Sequence, residues 1–306
     1  MTSFPIELEQ VSKSFGAVQA LRDVSLTVAP GEMFGLIGHN GAGKSTLFKL
    51  MLGLLPASAG TVRVQGVDTA SAEFRQVRRR IGYLPESFVT YDNLTGLEVL
   101  QLFADLKHVA RRACAGVLEQ VGMSLAAGRR VQTYSKGMRQ RLGFAQALLG
   151  EPDLIFLDEP TNGLDPEGIA DFYRILREVQ GRGATIVITS HILAEIQDRV
   201  DRLVIMHSGQ IAEQGTLAQL RSRMVLPSHI VATLRPGAAA QLEAALAPMD
   251  GPDLRLAGSQ ATIACHSQHK MAVLAALGAL ALDVTIHEPT LEQLFLGHGG
   301  AHVQPH

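Results

Sequence analysis

Hydrophobic and polar positions follow two different periods over the first two thirds of the chain. Short apolar runs rich in branched residues predict strands at Ile6–Val11, Val24–Val28 and Met33–Ile37. A helical pattern runs from Lys44 to Leu52 and stops at a glycine. Later apolar runs predict buried strands at residues 154–157, 185–189 and 203–206. Because helical patterns separate these strands, the sequence predicts an α/β fold with a largely parallel sheet.

Residues 87–150 interrupt this alternation, because they contain no strong strand pattern. Apolar residues recur there at helical spacing, as at Leu97, Leu100, Phe103 and Leu106. We expect this segment to form a mainly helical subdomain inserted into a domain that covers residues 1–218.

A second, smaller α+β domain is predicted over residues 228–306. The order of its predicted elements, β-α-β-β-α-β, matches the ferredoxin-like arrangement. A last short helix is expected to begin at Thr290, where Gln293 is placed for a capping box. The Gly- and His-rich chain from Gly297 onward is expected to be frayed.

Composition narrows the classes of function. The net charge is −2, from 27 basic and 29 acidic residues, so no global basic field indicates a nucleic-acid partner. The two cysteines form no CxxC pair, which fits a reducing compartment. No secretion signal opens the chain, and its longest apolar stretch, Met271–Leu282, falls short of the roughly 20 residues that span a bilayer. We therefore expect a cytoplasmic protein that reaches a membrane only through a partner.

A phosphate-binding loop is indicated between the third predicted strand and the first predicted helix. Its glycines allow the backbone to turn tightly, so that N–H groups point inward at a helix N-terminus. In such a loop Lys44 reaches the β- and γ-phosphates and Ser45 holds Mg²⁺. A plain glycine-rich turn is the alternative, but the preceding strand and following helix are the context that the motif requires. The predicted nucleotide-binding residues are Gly38, His39, Asn40, Gly41, Ala42, Gly43, Lys44, Ser45 and Thr46.

Two acidic residues end the apolar run at residues 154–157. A buried strand would deliver Asp158 beside the phosphate-binding loop, where its carboxylate can hold Mg²⁺. Glu159 is then placed to act as general base on the attacking water. An ordinary strand end is the alternative, and the phosphate-binding loop in the same chain argues against it.

Over about residues 4–218 the chain resembles the ABC ATPase family, whose signature sequence appears here at residues 134–140. Ser135 is placed to cap a helix whose N-terminus attracts an anion. The resemblance implies that Ser135 and Gly137 face the γ-phosphate bound by the other protomer. Lys136 and Met138 depart from the commonest signature, and this variant resembles the ABC-2 exporter branch.

Other positions extend the resemblance. Residues 163–166 resemble the D-loop that crosses the dimer interface, and His191 resembles the switch histidine that senses the γ-phosphate. Phe15 stands where the family places an aromatic ring under adenine, although a core phenylalanine is the competing interpretation. Glu86 occupies the position of the Q-loop glutamine, and this departure leaves a contact with Mg²⁺ at that loop open.

The resemblance implies a homodimer that hydrolyses Mg·ATP at two composite sites and drives a separate ABC-2 type permease. Three stretches, residues 38–44, 77–90 and 134–152, are further similar to ATPase subunits of transporters that mature the copper–sulfur centre of nitrous oxide reductase. Such a subunit would lie on the cytoplasmic side of the inner membrane, with a periplasmic protein joined to the permease. The alternatives are an ABC-2 exporter for drug, lipid or polysaccharide, and a soluble ABC ATPase.

Cysteine and histidine near the second domain suggest a metal site at first sight. Cys265, His266 and His269 lie close in sequence, and three histidines follow in the tail, at His298, His302 and His306. No regular ligand spacing closes a site, so we interpret them as a strand end and a solvated tail.

Overall fold

The computed structural model describes residues 4–222, 227–249 and 251–287. The chain divides into two compact units, Met1–Ala218 and Gln219–His306. Each unit has its own cluster of buried apolar side chains. No helix within the described residues is long and apolar enough to cross a bilayer.

The described residues of the first unit form ten strands. They are β1 (Ile6–Phe15), β2 (Val18–Val28), β3 (Met33–Ile37), β4 (Ala59–Val64), β5 (Val67–Asp68), β6 (Ile81–Leu84), β7 (Leu154–Leu157), β8 (Thr185–Ser190), β9 (Arg202–His207) and β10 (Gln210–Gly215). Its helices are α1 (Lys44–Met51), α2 (Phe74–Arg79), α3 (Gly96–Lys107), α4 (Ala113–Gln120), α5 (Lys136–Leu148), α6 (Pro166–Gly181) and α7 (Leu193–Ile196), and α8 (Leu217–Ser222) follows.

The central sheet of the first unit has six strands in the order β10-β9-β3-β8-β7-β6. All neighbouring pairs are parallel except β9 with β10. Every residue of β3, β7 and β8 is buried, as expected for strands covered on both faces. Because the strands are parallel, the carboxyl ends of β3, β7 and β8 lie at one edge of the sheet, which confirms the predicted α/β core.

A second sheet, antiparallel with the order β2-β1-β4-β5, was not predicted from the sequence. The expectation of a largely parallel architecture is therefore wrong for this part. The strands β1 and β2 are longer than predicted. Register shifts interrupt the pairing between them. Gln10 and Asp23 adopt positive φ angles of 50° and 47° within them, and such irregularities break the period-2 pattern by which a strand is recognised. Strand β6 and the antiparallel edge strand β10 were also missed.

Helices α3, α4 and α5 occupy the segment between β6 and β7. Helix α3 begins with a capping box, in which the Glu98 N–H donates to Thr95 Oγ1 at 3.2 Å and the Thr95 N–H donates to Glu98 Oε2 at 2.8 Å. Thr95 and Arg130 in this segment form an isolated antiparallel β-bridge.

In the second unit, the described residues from 228 onward form a four-stranded antiparallel sheet with two helices. Its elements are β11 (Ser228–Leu234), α9 (Ala239–Leu246), β12 (Asp253–Ala257), β13 (Gln260–Cys265), α10 (Ser267–Leu277) and β14 (Ala281–His287). The sheet order β12-β13-β11-β14 is the predicted ferredoxin-like topology. Helix α10 begins four residues earlier than the expected Met271. The helix expected from Thr290, with Gln293, and the tail from Gly297 lie outside the described residues.

Candidate functional site

The loop between β3 and α1 holds the predicted phosphate-binding motif. Gly41 and Gly43 adopt φ angles of 85° and 103°, a region that favours glycine. A Cβ atom at Gly43 would lie 2.8 Å from the Leu21 side chain and 2.9 Å from the Ala20 carbonyl oxygen. The loop therefore needs glycine at Gly43 for space as well as for conformation, and α1 starts directly after it with its N–H groups free for an anion.

Lys44, the first residue of α1, lies inside this loop with 7% of its surface exposed. Its Nζ donates to the carbonyl oxygens of Gly38 and His39, and lies 3.8 Å from Glu159 Oε1. Burial lowers the pKa of Lys44, and the negative charges of Glu159, Asp158 and Glu86 oppose that shift. A cation held over glycine-rich backbone is the group expected to bind phosphate oxygens.

Asp158 follows β7 at the same edge of the sheet, and 9% of its surface is exposed. Burial raises the pKa of its carboxyl group, whereas a hydrogen bond from Thr189 lowers it. That bond runs from Thr189 Oγ1 to Asp158 Oδ1 over 2.6 Å, and the Asp158 N–H donates to the Leu84 carbonyl oxygen at 2.9 Å. The carboxylate is thus held rigidly beside the phosphate-binding loop.

Glu159 has a positive φ of 48°, which is uncommon for a residue with a side chain. Its N–H donates to Thr189 Oγ1 at 2.9 Å, and its Oε2 lies 2.7 Å from Nδ1 of His191. Backbone strain of this kind persists where the surroundings fix it and is frequent at functional sites. The carboxylate is therefore aimed at both His191 and Lys44, with Oε1 toward the ammonium group.

Mg²⁺ is the cation that such a site implies, and the residues present fit it. Mg²⁺ in nucleotide sites is held through one or two protein oxygens together with phosphate oxygens and water. Asp158 supplies a carboxylate beside the loop, and Ser45 supplies a hydroxyl in the first turn of α1. Glu86 is exposed just after β6, and its charge acts on both Lys44 and Asp158.

The signature residues lie at the start of α5. Ser135 is the N-cap, and its Oγ accepts the Met138 N–H at 3.2 Å, as the sequence predicts. Ser135 itself is exposed, so the N-terminus of α5 is available to an anion from outside this protomer. Gly137 lies close to the D-loop, because a Cβ atom there would be 3.4 Å from the Gly163 carbonyl oxygen.

Phe15 ends β1 with 47% of its surface exposed, so it is not a core residue. The Lys13 ammonium group lies 5.1 Å from the centroid of its ring. An exposed flat ring of this kind can stack on a base.

Three contacts at the site have no counterpart in the sequence analysis. Thr189 bridges Asp158 and Glu159. Buried Gln140, on α5, donates from Nε2 to the Pro160 carbonyl oxygen at 2.8 Å. The ring of His39 meets that of His207 edge to face, with centroids 5.2 Å apart. No local pattern marked Thr189, because its partners Asp158 and Glu159 follow a different strand.

Among the described residues, Cys265, His266 and His269 are not gathered into a metal site. Cys265 is buried in the core of the second unit and His266 is the residue before α10. Within residues 4–222, 227–249 and 251–287, no three His, Cys, Asp or Glu side chains are grouped to hold a metal ion. The tail histidines His298, His302 and His306 lie outside the described residues.

Comparisons with known proteins agree with this geometry. The family model described as ABC transporter matches residues 21–162. An uncharacterized ABC transporter ATP-binding protein of Bacillus subtilis is 40% identical over 214 residues, which is 69% of each chain. Daunorubicin resistance ATP-binding protein DrrA3 of Streptomyces coeruleorubidus is 34% identical over 97% of this chain and 96% of its own. Linearmycin resistance ATP-binding protein LnrL of Bacillus subtilis is 30% identical over 96% and 98%. Other relatives are matched over as little as 58% of their length.

Solved structures give the same result. An ATP-binding subunit of an ABC transporter superposes with a TM-score of 0.67 at 34% identity, over 72% of this chain and 93% of that one. The dimeric ATP-binding cassette MJ0796, in a post-hydrolysis state bound to ADP and Pi, superposes with a TM-score of 0.65 at 26% identity, over 69% and 98%. The chain therefore belongs to the ABC transporter family as an ATP-binding subunit with an ABC-type ATPase domain.

Proposed function

We propose that this chain forms a homodimer that hydrolyses Mg·ATP at two composite sites and thereby drives a separate ABC-2 type permease. The observation that supports this most is the convergence of four side chains at one sheet edge. Lys44, Glu159 and His191 are linked in a chain of contacts, and Asp158 lies beside them on the same Thr189 hydroxyl.

Each of these residues has one task in the proposed reaction. Lys44 binds the β- and γ-phosphate oxygens and neutralises their charge. Ser45 and Asp158 would hold Mg²⁺, which supplies further neutralisation of the phosphates when bound. Glu159 takes the proton from the attacking water, and His191 fixes the Glu159 carboxylate toward that water.

The remaining nucleotide contacts complete the proposed site. The other loop residues, from Gly38 to Thr46, surround the phosphates with backbone N–H groups. Phe15 stacks on the adenine ring. Ser135 and Gly137 of the partner protomer close on the γ-phosphate, because Ser135 is exposed at the N-terminus of α5, where an anion is favoured. Glu86, whose charge acts on Lys44 and Asp158, would be a further oxygen ligand for Mg²⁺ or its water if its loop brings it there.

An exposed apolar surface after β6 is consistent with binding of a membrane protein partner. Val89 is 85% exposed and Tyr91 is 62% exposed. They line a cavity of about 320 Å³ together with Thr90, Leu102 and Phe103 of the helical segment. Exposed apolar residues beside a cavity are typical of protein interfaces. We propose that a permease helix binds there and holds the chain at the cytoplasmic face of the inner membrane.

We favour a small organic compound as the cargo, and export as the direction of transport. Two relatives that match almost the full length of the chain carry names of drug resistance, to daunorubicin and to linearmycin. ATP binding would close the dimer and hydrolysis would reopen it, so that closure moves the permease.

Maturation of the copper–sulfur centre of nitrous oxide reductase is the second candidate. It rests on the resemblance that we infer for residues 38–44, 77–90 and 134–152, whereas the names of the full-length relatives reported above favour export. The segment 77–90 contains Val89, one of the exposed residues that we assign to the permease surface. In this case the permease would also join a periplasmic protein, and this chain would handle ATP alone.

A purification tests the proposed function, and a deletion strain separates the two candidates. The chain is tagged and purified from its natural host, and ATPase activity of the complex with any permease that co-purifies is measured with and without candidate drugs. Failure of the chain to co-purify with any permease would contradict the proposed function. A deletion strain that loses drug resistance supports export, whereas a nitrous oxide reductase lacking its copper–sulfur centre supports maturation.

A further inference from the structure

The hydroxyl of Thr189 joins two residues of the site that come from a neighbouring strand. Thr189 lies on β8 and is completely buried. Its Oγ1 donates to Asp158 Oδ1 at 2.6 Å and accepts the Glu159 N–H at 2.9 Å. One hydroxyl thus holds the side chain of one acid and the backbone of the next.

The second of these bonds acts on an unfavourable backbone conformation. Glu159 has a φ of 48°, in the left-handed region that residues with side chains rarely adopt. From this backbone position its carboxylate reaches both His191 and Lys44. A hydrogen bond to the Glu159 N–H opposes relaxation toward the ordinary region, which would redirect the side chain.

We propose that Thr189 is a positioning residue for ATP hydrolysis, which sets the Asp158 carboxylate and the Glu159 backbone in one fixed arrangement through its single hydroxyl. The inference rests on the proposed roles of Asp158 as Mg²⁺ ligand and Glu159 as general base. Loss of the hydroxyl would loosen both groups at once. A displacement of about 1 Å at such a group can cost on the order of 100-fold in rate.

A purely structural role for the hydroxyl is the alternative, and the same strand contains its control. Thr185 lies four residues earlier on β8, is also buried, and uses Oγ1 to accept the Gly31 N–H at 3.0 Å. Thr185 touches no residue that we place in the reaction. Substitution of either threonine by valine keeps the shape and removes a buried hydrogen-bonding hydroxyl.

The test measures the ATPase activity of the assembled complex for Thr189→Val, Thr189→Ser and Thr185→Val, each as a function of ATP and Mg²⁺. We expect Thr189→Val to lower kcat by about 10- to 100-fold and to raise the Mg²⁺ concentration for half-maximal rate. Nucleotide affinity without Mg²⁺ should change little. Thr189→Ser should restore kcat to within about threefold, and Thr185→Val should leave it unchanged even if Tm falls.

Two results would overturn the proposal. One is a kcat for Thr189→Val within twofold of the natural protein, and the other is an equal loss of kcat in Thr185→Val. If Thr189→Val does not fold, Thr189→Ala is compared with Thr189→Ser in the same way. Glu159→Gln is measured alongside: if it retains full turnover, the proposed base is wrong, whereas an inactive Glu159→Gln with an active Thr189→Val rejects only the role of Thr189.

Discussion

His191 and Glu159 face each other across the ends of two adjacent strands, with Nδ1 of His191 2.7 Å from Oε2 of Glu159. The other carboxylate oxygen lies 3.8 Å from the Lys44 ammonium group. The carboxylate therefore connects the phosphate-binding loop to the end of β8. Binding of a phosphate by Lys44 would release Glu159 from its ion pair, which would leave the carboxylate free to act on water.

Lys44→Ala should abolish steady-state ATP turnover, because the phosphates lose the cation that the loop holds. Removal of one preorganised charge typically lowers kcat by about 100- to 1000-fold. Lys44→Arg retains the charge but places a larger planar group in a fully packed loop, so it should also fail. Turnover is measured in the complex with the permease. Activity of Lys44→Ala at the natural rate would show that the phosphate-binding assignment is wrong.

Ser135→Arg should block turnover while leaving ATP binding to the loop of the same protomer intact, because Ser135 is exposed at the start of α5. A mixed dimer with Lys44→Ala in the other protomer then distinguishes the two possible geometries. If sites form between protomers, one site of the mixed dimer is intact, and turnover should exceed that of either variant homodimer. If the mixed dimer shows no more turnover than the variant homodimers, each site lies within one protomer.

Lys107 should make the stability of the first unit depend on pH. It ends α3 and donates to the Leu149 carbonyl oxygen at 3.1 Å, and burial lowers its pKa to about 8. Between about pH 8 and the ordinary lysine pKa near 10.4, the unfolded chain binds a proton at Lys107 that the folded chain does not. The free energy of unfolding therefore rises with pH in this window. Below about pH 8 the buried ammonium group lowers the free energy of unfolding by its full amount.

A comparison with Lys107→Met isolates this effect. The free energy of unfolding of the natural protein, relative to the variant, should increase from pH 7.5 to pH 9.5 by on the order of 1–2 kcal/mol. Urea unfolding followed by circular dichroism provides the measurement. A difference that stays constant over this range would contradict the lowered pKa of Lys107.

A chain ending at Ser222 should fold and bind ATP. The large core cluster lies wholly within the first unit, and the cluster of the second unit begins at Ile230. Every residue that we place at the nucleotide site precedes α8. The affinity for a fluorescent ATP analogue is measured for the shortened chain and for the full chain. If the shortened chain does not bind the analogue, the second unit is part of the nucleotide-binding domain.

The sequence predicts those parts of the molecule whose residues are consecutive. The phosphate-binding loop, the acids after β7 and the cap at Ser135 each combine a local pattern with a local structure, so their placement could be foreseen. Thr189 and Gln140 could not, because their contacts join elements that are remote along the chain. The antiparallel sheet was missed for a local reason, since its irregular strands do not alternate regularly.

The second unit shows the same division. Its four strands and two helices were expected, because each has a clear apolar pattern between turn residues. The sheet order followed from the general topology of such units and not from any residue. The sequence predicted no chemical role for this unit, because its cysteine and histidines lack a regular ligand spacing.

Glu159→Gln tests the central claim most directly, namely that the chain hydrolyses ATP in a dimer closed by nucleotide. The amide keeps the size of the side chain and its hydrogen bond to His191 but cannot take a proton from water. With saturating Mg·ATP, the variant complex should show almost no turnover and should retain ATP, and light scattering should give twice the mass of one chain for the isolated variant. A variant that turns over ATP at the natural rate, or that stays monomeric with saturating ATP, would contradict the account.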